Sequence, residues 1–176
     1  MESKIVLLHT CCAPCCAYVA EKLQKLGCKV LLYFYNPNIF PLAEYNKRLD
    51  ELKRFCKETE LELILEDPDF TRWQELTKGL ENELEKGKRC SICYRMRLEK
   101  TALKATELGI NFFTTSLSIS PHKSYPKIKE ISLTLENDNL KFLDIDFKKQ
   151  DGFKNSLELS KKYNFYRQSY CGCGYK

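Results

Sequence analysis

Ten cysteines stand in a chain of 176 residues, and eight of them fall into three tight groups. Cys11, Cys12, Cys15 and Cys16 crowd one turn, Cys90 and Cys93 form a C-x-x-C pair, and Cys171 with Cys173 forms a C-x-C pair near the end. Thiolates at such spacings bind zinc or iron-sulfur clusters, or exchange electrons through a disulfide. Cys28 and Cys56 stand alone and read as small buried hydrophobes.

Each group carries its own expectation. Cys90 and Cys93 open a helix after Gly87-Lys88-Arg89, where the helix N-terminus and the cations lower thiol pKa. Alone, the pair is metal-binding, redox-active or incidental; with thiols from the first turn, four soft ligands suffice for a 4Fe-4S or zinc site. Cys12-Ala13-Pro14-Cys15 also fits a thioredoxin-type motif, so a thiol-disulfide oxidoreductase using Cys12 and Cys15 stays open, as does a zinc-stapled binding module. Cys11 and Cys12 point apart in regular extended backbone, so sharing one centre requires an irregular turn. Cys16 falls within the helix and reads as packing. Cys171-Gly172-Cys173 would close a strained, easily reduced disulfide loop, which suits a redox pair. The histidines are His9 and His122, and His9, on a strand, reads as a packing residue rather than an acid.

The elements that must position these groups follow from apolar periodicity. Strands are expected at 4–10, 29–35, 61–65, 111–115 and 141–143. Helices are expected from Pro14 to Gly27 and over 41–56, 69–78, 91–108, 126–137 and 152–162. Strands alternating with helices predict an α/β fold: a mostly parallel sheet with helices on both faces, Rossmann-like, in a single domain spanning 1–176. In such sheets ligands collect at the carboxyl ends of the strands, which is where the first cysteine turn lies. Segment 163–176, with Tyr163, Phe165, Tyr166 and Tyr170, is too aromatic for a loose tail and is expected to pack near the active site.

The start, Met1-Glu2-Ser3-Lys4 and a short apolar run, lacks the features of a secretory leader, and no stretch is apolar enough to cross a bilayer. A reducing, cytoplasmic setting without membrane attachment is therefore expected, where clustered thiols mean metal or redox chemistry rather than a disulfide framework. The net charge of +5 permits an anionic partner without demanding one.

Five stretches together carry a family resemblance. They are Cys11-Cys12-Ala13-Pro14-Cys15; Tyr35-Asn36-Pro37-Asn38-Ile39 with Pro41, Glu44, Tyr45 and Arg48; Glu85, Gly87, Arg89, Cys90 and Cys93; Thr114-Thr115-Ser116-Leu117 with Ser120, Pro121 and Lys123; and Gln168-Ser169-Tyr170-Cys171-Gly172-Cys173. In this order they closely resemble the QueH family, the cobalamin-independent epoxyqueuosine reductases. The resemblance implies an oxidoreductase that removes the epoxide oxygen of epoxyqueuosine at the wobble position of tRNA, giving queuosine. It implies a 4Fe-4S cluster with an adjacent iron or other divalent metal, no cobalamin, and an electron donor such as a ferredoxin or flavodoxin. It makes Cys11, Cys12, Cys90 and Cys93 the cluster thiolates and Cys171 with Cys173 a redox-active pair; Cys15, in the same turn, is a candidate ligand of the further metal. The fold it implies is similar to PP-loop and HUP-type nucleotide-binding domains. The cysteine turn replaces their Gly- and Ser-rich phosphate loop, so ATP is not expected.

A tRNA substrate adds requirements of its own. A wobble base must be splayed into a pocket, stacked on an aromatic ring and held through its phosphates. Tyr35, Glu44 and Tyr45 follow the second strand and are candidate substrate contacts, or a polar helix start and core aromatics. Arg89, Lys123 and Arg167, with Arg95, Arg97 and Lys127, are candidate phosphate contacts, and a solvated helix face also accounts for Arg95 and Arg97.

Overall fold

A computed structural model of the chain describes residues 4–175; the start read as leader-free, residues 1–3, and residue 176 of the aromatic C-terminal segment lie outside them. The first strand, β1 (Ile5–His9), alternates its side chains between two cores. Val6 and Leu8 pack on one face, and Leu7 packs on the other. Helix α1 (Ala13–Lys25) carries Pro14 in its first turn, where a missing N–H costs nothing.

The chain continues through β2 (Lys29–Phe34), α2 (Leu42–Thr59), β3 (Glu62–Leu65), α3 (Phe70–Thr77), α4 (Lys88–Glu107) and β4 (Phe112–Thr115). A short 3-10 turn, Ser116–Ile119, follows β4, and then come α5 (Tyr125–Leu133), β5 (Lys141–Phe142) and α6 (Gly152–Lys162). Among the described residues the five strands form one parallel sheet in the order β3-β2-β1-β4-β5. Residues of α1, α2 and α6 belong to the core on one face, and residues of α4 and α5 to the core on the other. Both faces are therefore covered, as a parallel sheet requires.

The chain runs outward from β1 to β3 and then returns to lay β4 on the other side of β1. That reversal opens a crevice beyond the carboxyl end of β1, the standard ligand position of open α/β sheets. The helix expected over 126–137 stops at Leu133. Beyond it Asn137 Oδ1 accepts the Asn139 N–H at 2.9 Å, a local turn that competes with continued helix. No helix among the described residues is long and apolar enough to cross a membrane.

Candidate active site

β1 ends at His9, and the chain bends through Thr10 and Cys11 into an extended Cys12 that caps α1. This is the irregular turn that adjacent thiols need in order to converge. The Cys11 and Cys12 sulfurs lie 3.7 Å apart, and with Cys15 they form a set of three mutually within 4.8 Å. Two thiolates on one tetrahedral ion, with metal–sulfur bonds of about 2.3 Å, would stand at nearly that 3.7 Å separation. Hydrogen bonds from Cys12 and Cys15 hold the Cys11 thiol well below its ordinary range, and the buried Arg97 charge adds to this. The contact with Cys11, reinforced by burial, pushes Cys12 up to about 12, and contacts with Cys11 and Cys12 raise Cys15. Cys16 is fully buried in the core, the packing role its helical position suggests.

The strand ends around this turn are tied together. Tyr35 accepts a hydrogen bond from His9 Nε2 at its carbonyl (3.0 Å), so the proton sits on Nε2. Nδ1 then accepts from Thr115 Oγ1 at 3.0 Å. Burial, reinforced by Arg97, lowers the His9 pKa to about 4, so the ring is a neutral strut joining β1, β2 and β4. Asn36 continues the network, donating to the Thr10 carbonyl at 3.0 Å.

The second sulfur group sits on the first turns of α4. Cys90 packs against the core cluster that contains Cys11 and Cys12, and Lys86 N–H donates to its sulfur at 3.3 Å. Cys93, one turn on, faces a small cavity that it lines with Cys90, Lys123, Cys171 and Cys173. Two sulfur pairs far apart in sequence thus meet there. Lys123 Nζ donates to Cys171 at 2.9 Å. A hydrogen bond from Cys173 and the Lys123 charge hold the Cys171 thiol well below its ordinary range, and Cys173 is raised in turn. Cys90 and Cys93 do not join the set of three formed by Cys11, Cys12 and Cys15. All ten cysteines carry free thiols.

Arg97 corrects the sequence reading most. Neither a phosphate contact nor part of a solvated face, it is 2% exposed and donates through Nη2 to Cys93 Sγ at 2.8 Å. Its charge acts on Cys93, Cys11 and Cys171 alike, so one guanidinium serves all three sulfur groups. The i,i+4 spacing of Cys93 and Arg97 on one helix was the available signal.

The C-terminal segment is held onto the site by α2. Glu44 accepts from Arg48 Nε at 2.7 Å and from the Tyr166 hydroxyl at 3.0 Å, and Arg48 Nη1 donates to the Cys171 carbonyl at 3.1 Å. Gly172 has φ +94° and lies against this guanidinium; a β-carbon there would stand 2.7 Å from Arg48 Nη2. Only glycine fits both the angle and the space. Gln168 adds a donor to Cys12 Sγ at 3.3 Å.

The remaining candidates are distributed differently. Tyr45 fills the core edge-on to Phe34 and Phe70. Tyr35 is buried, with its ring beside Tyr33. Glu44 is turned inward to Arg48 and Tyr166. Arg89 donates to the Leu80 and Glu81 carbonyls and lies over the Tyr175 ring. Arg167 is exposed, and so is Arg95, which pairs with Glu99. The clustered thiols and the cations beside them fit a thiolate-held metal centre.

Comparison with known proteins gives this geometry a context. The family model described as epoxyqueuosine reductase QueH matches residues 6–176. A protein of Acinetobacter baylyi named epoxyqueuosine reductase QueH is 41% identical, the match covering 97% of this chain and 79% of that protein. Proteins of the same name from Streptococcus pyogenes and Dehalococcoides mccartyi are 38% and 36% identical over 97% of this chain, covering 69% and 91% of their own lengths. In fold, the chain is similar to the U34-tRNA thiolase NcsA from Methanococcus maripaludis, described with its [4Fe-4S] cluster. The TM-score is 0.60 at 14% identity, covering 98% of this chain and 62% of that one.

Proposed function

The chain belongs to the epoxyqueuosine reductase QueH family and is an epoxyqueuosine reductase, and we propose that it works through two sulfur groups facing one another at the carboxyl edge of the sheet. The reaction takes the epoxide of epoxyqueuosine, at the wobble base of tRNA, to an alkene. The oxygen leaves as water, which consumes two electrons and two protons.

We assign Cys11, Cys12, Cys90 and Cys93 to a 4Fe-4S cluster and Cys15 to an adjacent iron or other divalent ion. The donor chemistry, the lowered Cys11 thiol and the position at the β1 crevice support the assignment. When bound, such a cluster supplies electrons one at a time. Arg97 offsets the accumulated sulfur charge, and His9, neutral and doubly bonded, fixes the strand ends without moving a proton.

Cys171 and Cys173 serve as the two-electron store on which such a centre would draw. Closing their disulfide releases two electrons, and because Cys171 is a thiolate it releases one proton, from Cys173. The Lys123 ammonium, 2.9 Å from Cys171, supplies the other proton, which balances the reaction. An external donor of the ferredoxin or flavodoxin class then re-reduces the pair. Arg167 and Arg95, both exposed, are the cations we assign to tRNA phosphates.

The observation that carries this reading is the cavity shared by Cys90, Cys93, Lys123, Cys171 and Cys173. A thiol-disulfide oxidoreductase working through Cys12 and Cys15 is not favoured. Both thiols are raised, whereas an attacking thiol must be lowered. Purification without oxygen, followed by iron, sulfide and zinc analysis, tests the assignment. Iron with matching sulfide is expected; a colourless zinc protein that leaves the epoxide intact would contradict it.

A further inference from the structure

Beside the sulfur cavity lies a second, larger space. A cleft of about 410 Å³ is lined by Phe40, Phe70, Trp73, Gln74, Tyr175 and Cys173, among others. Such a volume falls within the range of small-molecule sites, roughly 300 to 1,000 Å³. Trp73 and Cys173 line both the cleft and the sulfur cavity, so the two spaces share a wall. Resting on the reductase reading above, we propose that this cleft receives the base of the wobble nucleotide, flipped out of the anticodon loop, with its epoxide-bearing substituent directed past Cys173 toward the sulfur groups.

Three observations select a nucleobase as the occupant. Four of the lining residues are aromatic, and flat π-faces are what an unstacked base needs in place of its neighbours. None of the lining residues is charged, which suits a neutral ring and not a phosphate or a cation. Gln74, exposed at the cleft, carries an amide donor and acceptor of the kind that reads a purine-like edge.

Phe40 is the telling residue. Its side chain is 60% exposed although large and apolar, and it sits beside Gly174 of the C-terminal turn. Its backbone N–H donates to the Gly172 carbonyl at 2.7 Å, a bond that ties the cleft wall to the Cys171–Cys173 loop and does not depend on the ring. The ring is therefore held at the mouth of the cleft without serving the core. A stacking platform explains that position.

A binding cycle on the reconstituted holoenzyme tests this. Two anticodon stem-loops are compared, one with epoxyqueuosine and one with an abasic site at the wobble position, against wild type, Phe40→Ala and Phe40→Trp. Wild type is expected to prefer the base-bearing loop by tenfold or more. Phe40→Ala should lose most of that preference while holding the abasic loop as wild type does, and Phe40→Trp should keep it. If wild type shows no preference, or if Phe40→Ala retains it or weakens both loops equally, the base binds elsewhere and the proposal fails. Failure of the reductase reading gives a different result: the preference persists, but reduced wild type never converts the epoxide-bearing loop.

Discussion

The Cys173 hydrogen bond, together with the Lys123 ammonium 2.9 Å from the Cys171 sulfur, holds the Cys171 thiol well below its ordinary range. Lys123→Gln removes that ammonium, so the Cys171 thiol should titrate at least about one pH unit higher and alkylate roughly tenfold more slowly at neutral pH. An alkylation rate profile against pH, read by mass spectrometry at Cys171, measures this; an unchanged profile would remove Lys123 from the site. Arg97 makes a different demand, because a guanidinium buried at 2% exposure exists only if the sulfurs and carbonyls around it stay in place. Arg97→Met should cost about 3 kcal/mol in urea unfolding, since it strands the buried thiol charge it now balances. A loss below about 0.5 kcal/mol would place Arg97 outside that balance. The cysteines were legible from type and spacing alone. Arg97 was marked only by its i,i+4 spacing from Cys93, a weak signal because charged residues on a helix ordinarily face water, and the tertiary fold shows that this one turns inward.

The Glu44 to Arg48 stretch of α2 acts as a clamp on the segment bearing Cys171 and Cys173. Burial raises the Glu44 carboxyl, but the hydrogen bond and charge of Arg48, with the Tyr170 and Tyr166 hydroxyls, outweigh it and lower the pKa below its ordinary 4.5. The unfolded chain therefore takes up this proton first. The clamp's contribution is complete above about pH 4.5 and is lost as pH falls through the lower folded value. Amide protection across residues 166–173, taken relative to the intrinsic exchange rate at each pH, should be high at neutral pH and fall below pH 4.5, and Glu44→Gln should be weakly protected throughout. Equal protection in the variant and wild type at neutral pH would contradict the clamp. Periodicity located each strand and α-helix among the described residues, although α2 runs on to Thr59, beyond the expected end at 56, and the 3-10 turn Ser116–Ile119 was not foreseen. It overran α5, because Ile128, Ile131 and Leu135 keep a helical spacing while the asparagines that follow form a turn. The clamp itself is an i,i+4 pair whose partner is over a hundred positions away, and local sequence holds no record of that contact.

For the whole molecule, alternation of strands and helices announced the parallel sheet, but not that β1 would lie at its centre. That order comes from pairing β1 with both β2 and β4, a non-local choice set by burial on two faces. It makes the ends of β1, β2 and β4 neighbours and brings Thr115, Tyr35 and the cysteine turn together around His9. The net charge of +5 gives the molecule a modest attraction for RNA. Affinity for the tRNA stem-loop should therefore fall about tenfold or more as salt rises from roughly 50 to 200 mM; an affinity indifferent to salt would remove Arg167 and Arg95 as phosphate contacts. The most direct test of the whole account is turnover of an epoxyqueuosine stem-loop by Cys173→Ser protein shown to hold its full iron and sulfide, compared with wild type. With either a chemical reductant or a protein donor, wild type should yield the product lacking one oxygen, and the variant should slow at least about a hundredfold with one of them. Equal rates for variant and wild type with both reductants would contradict it.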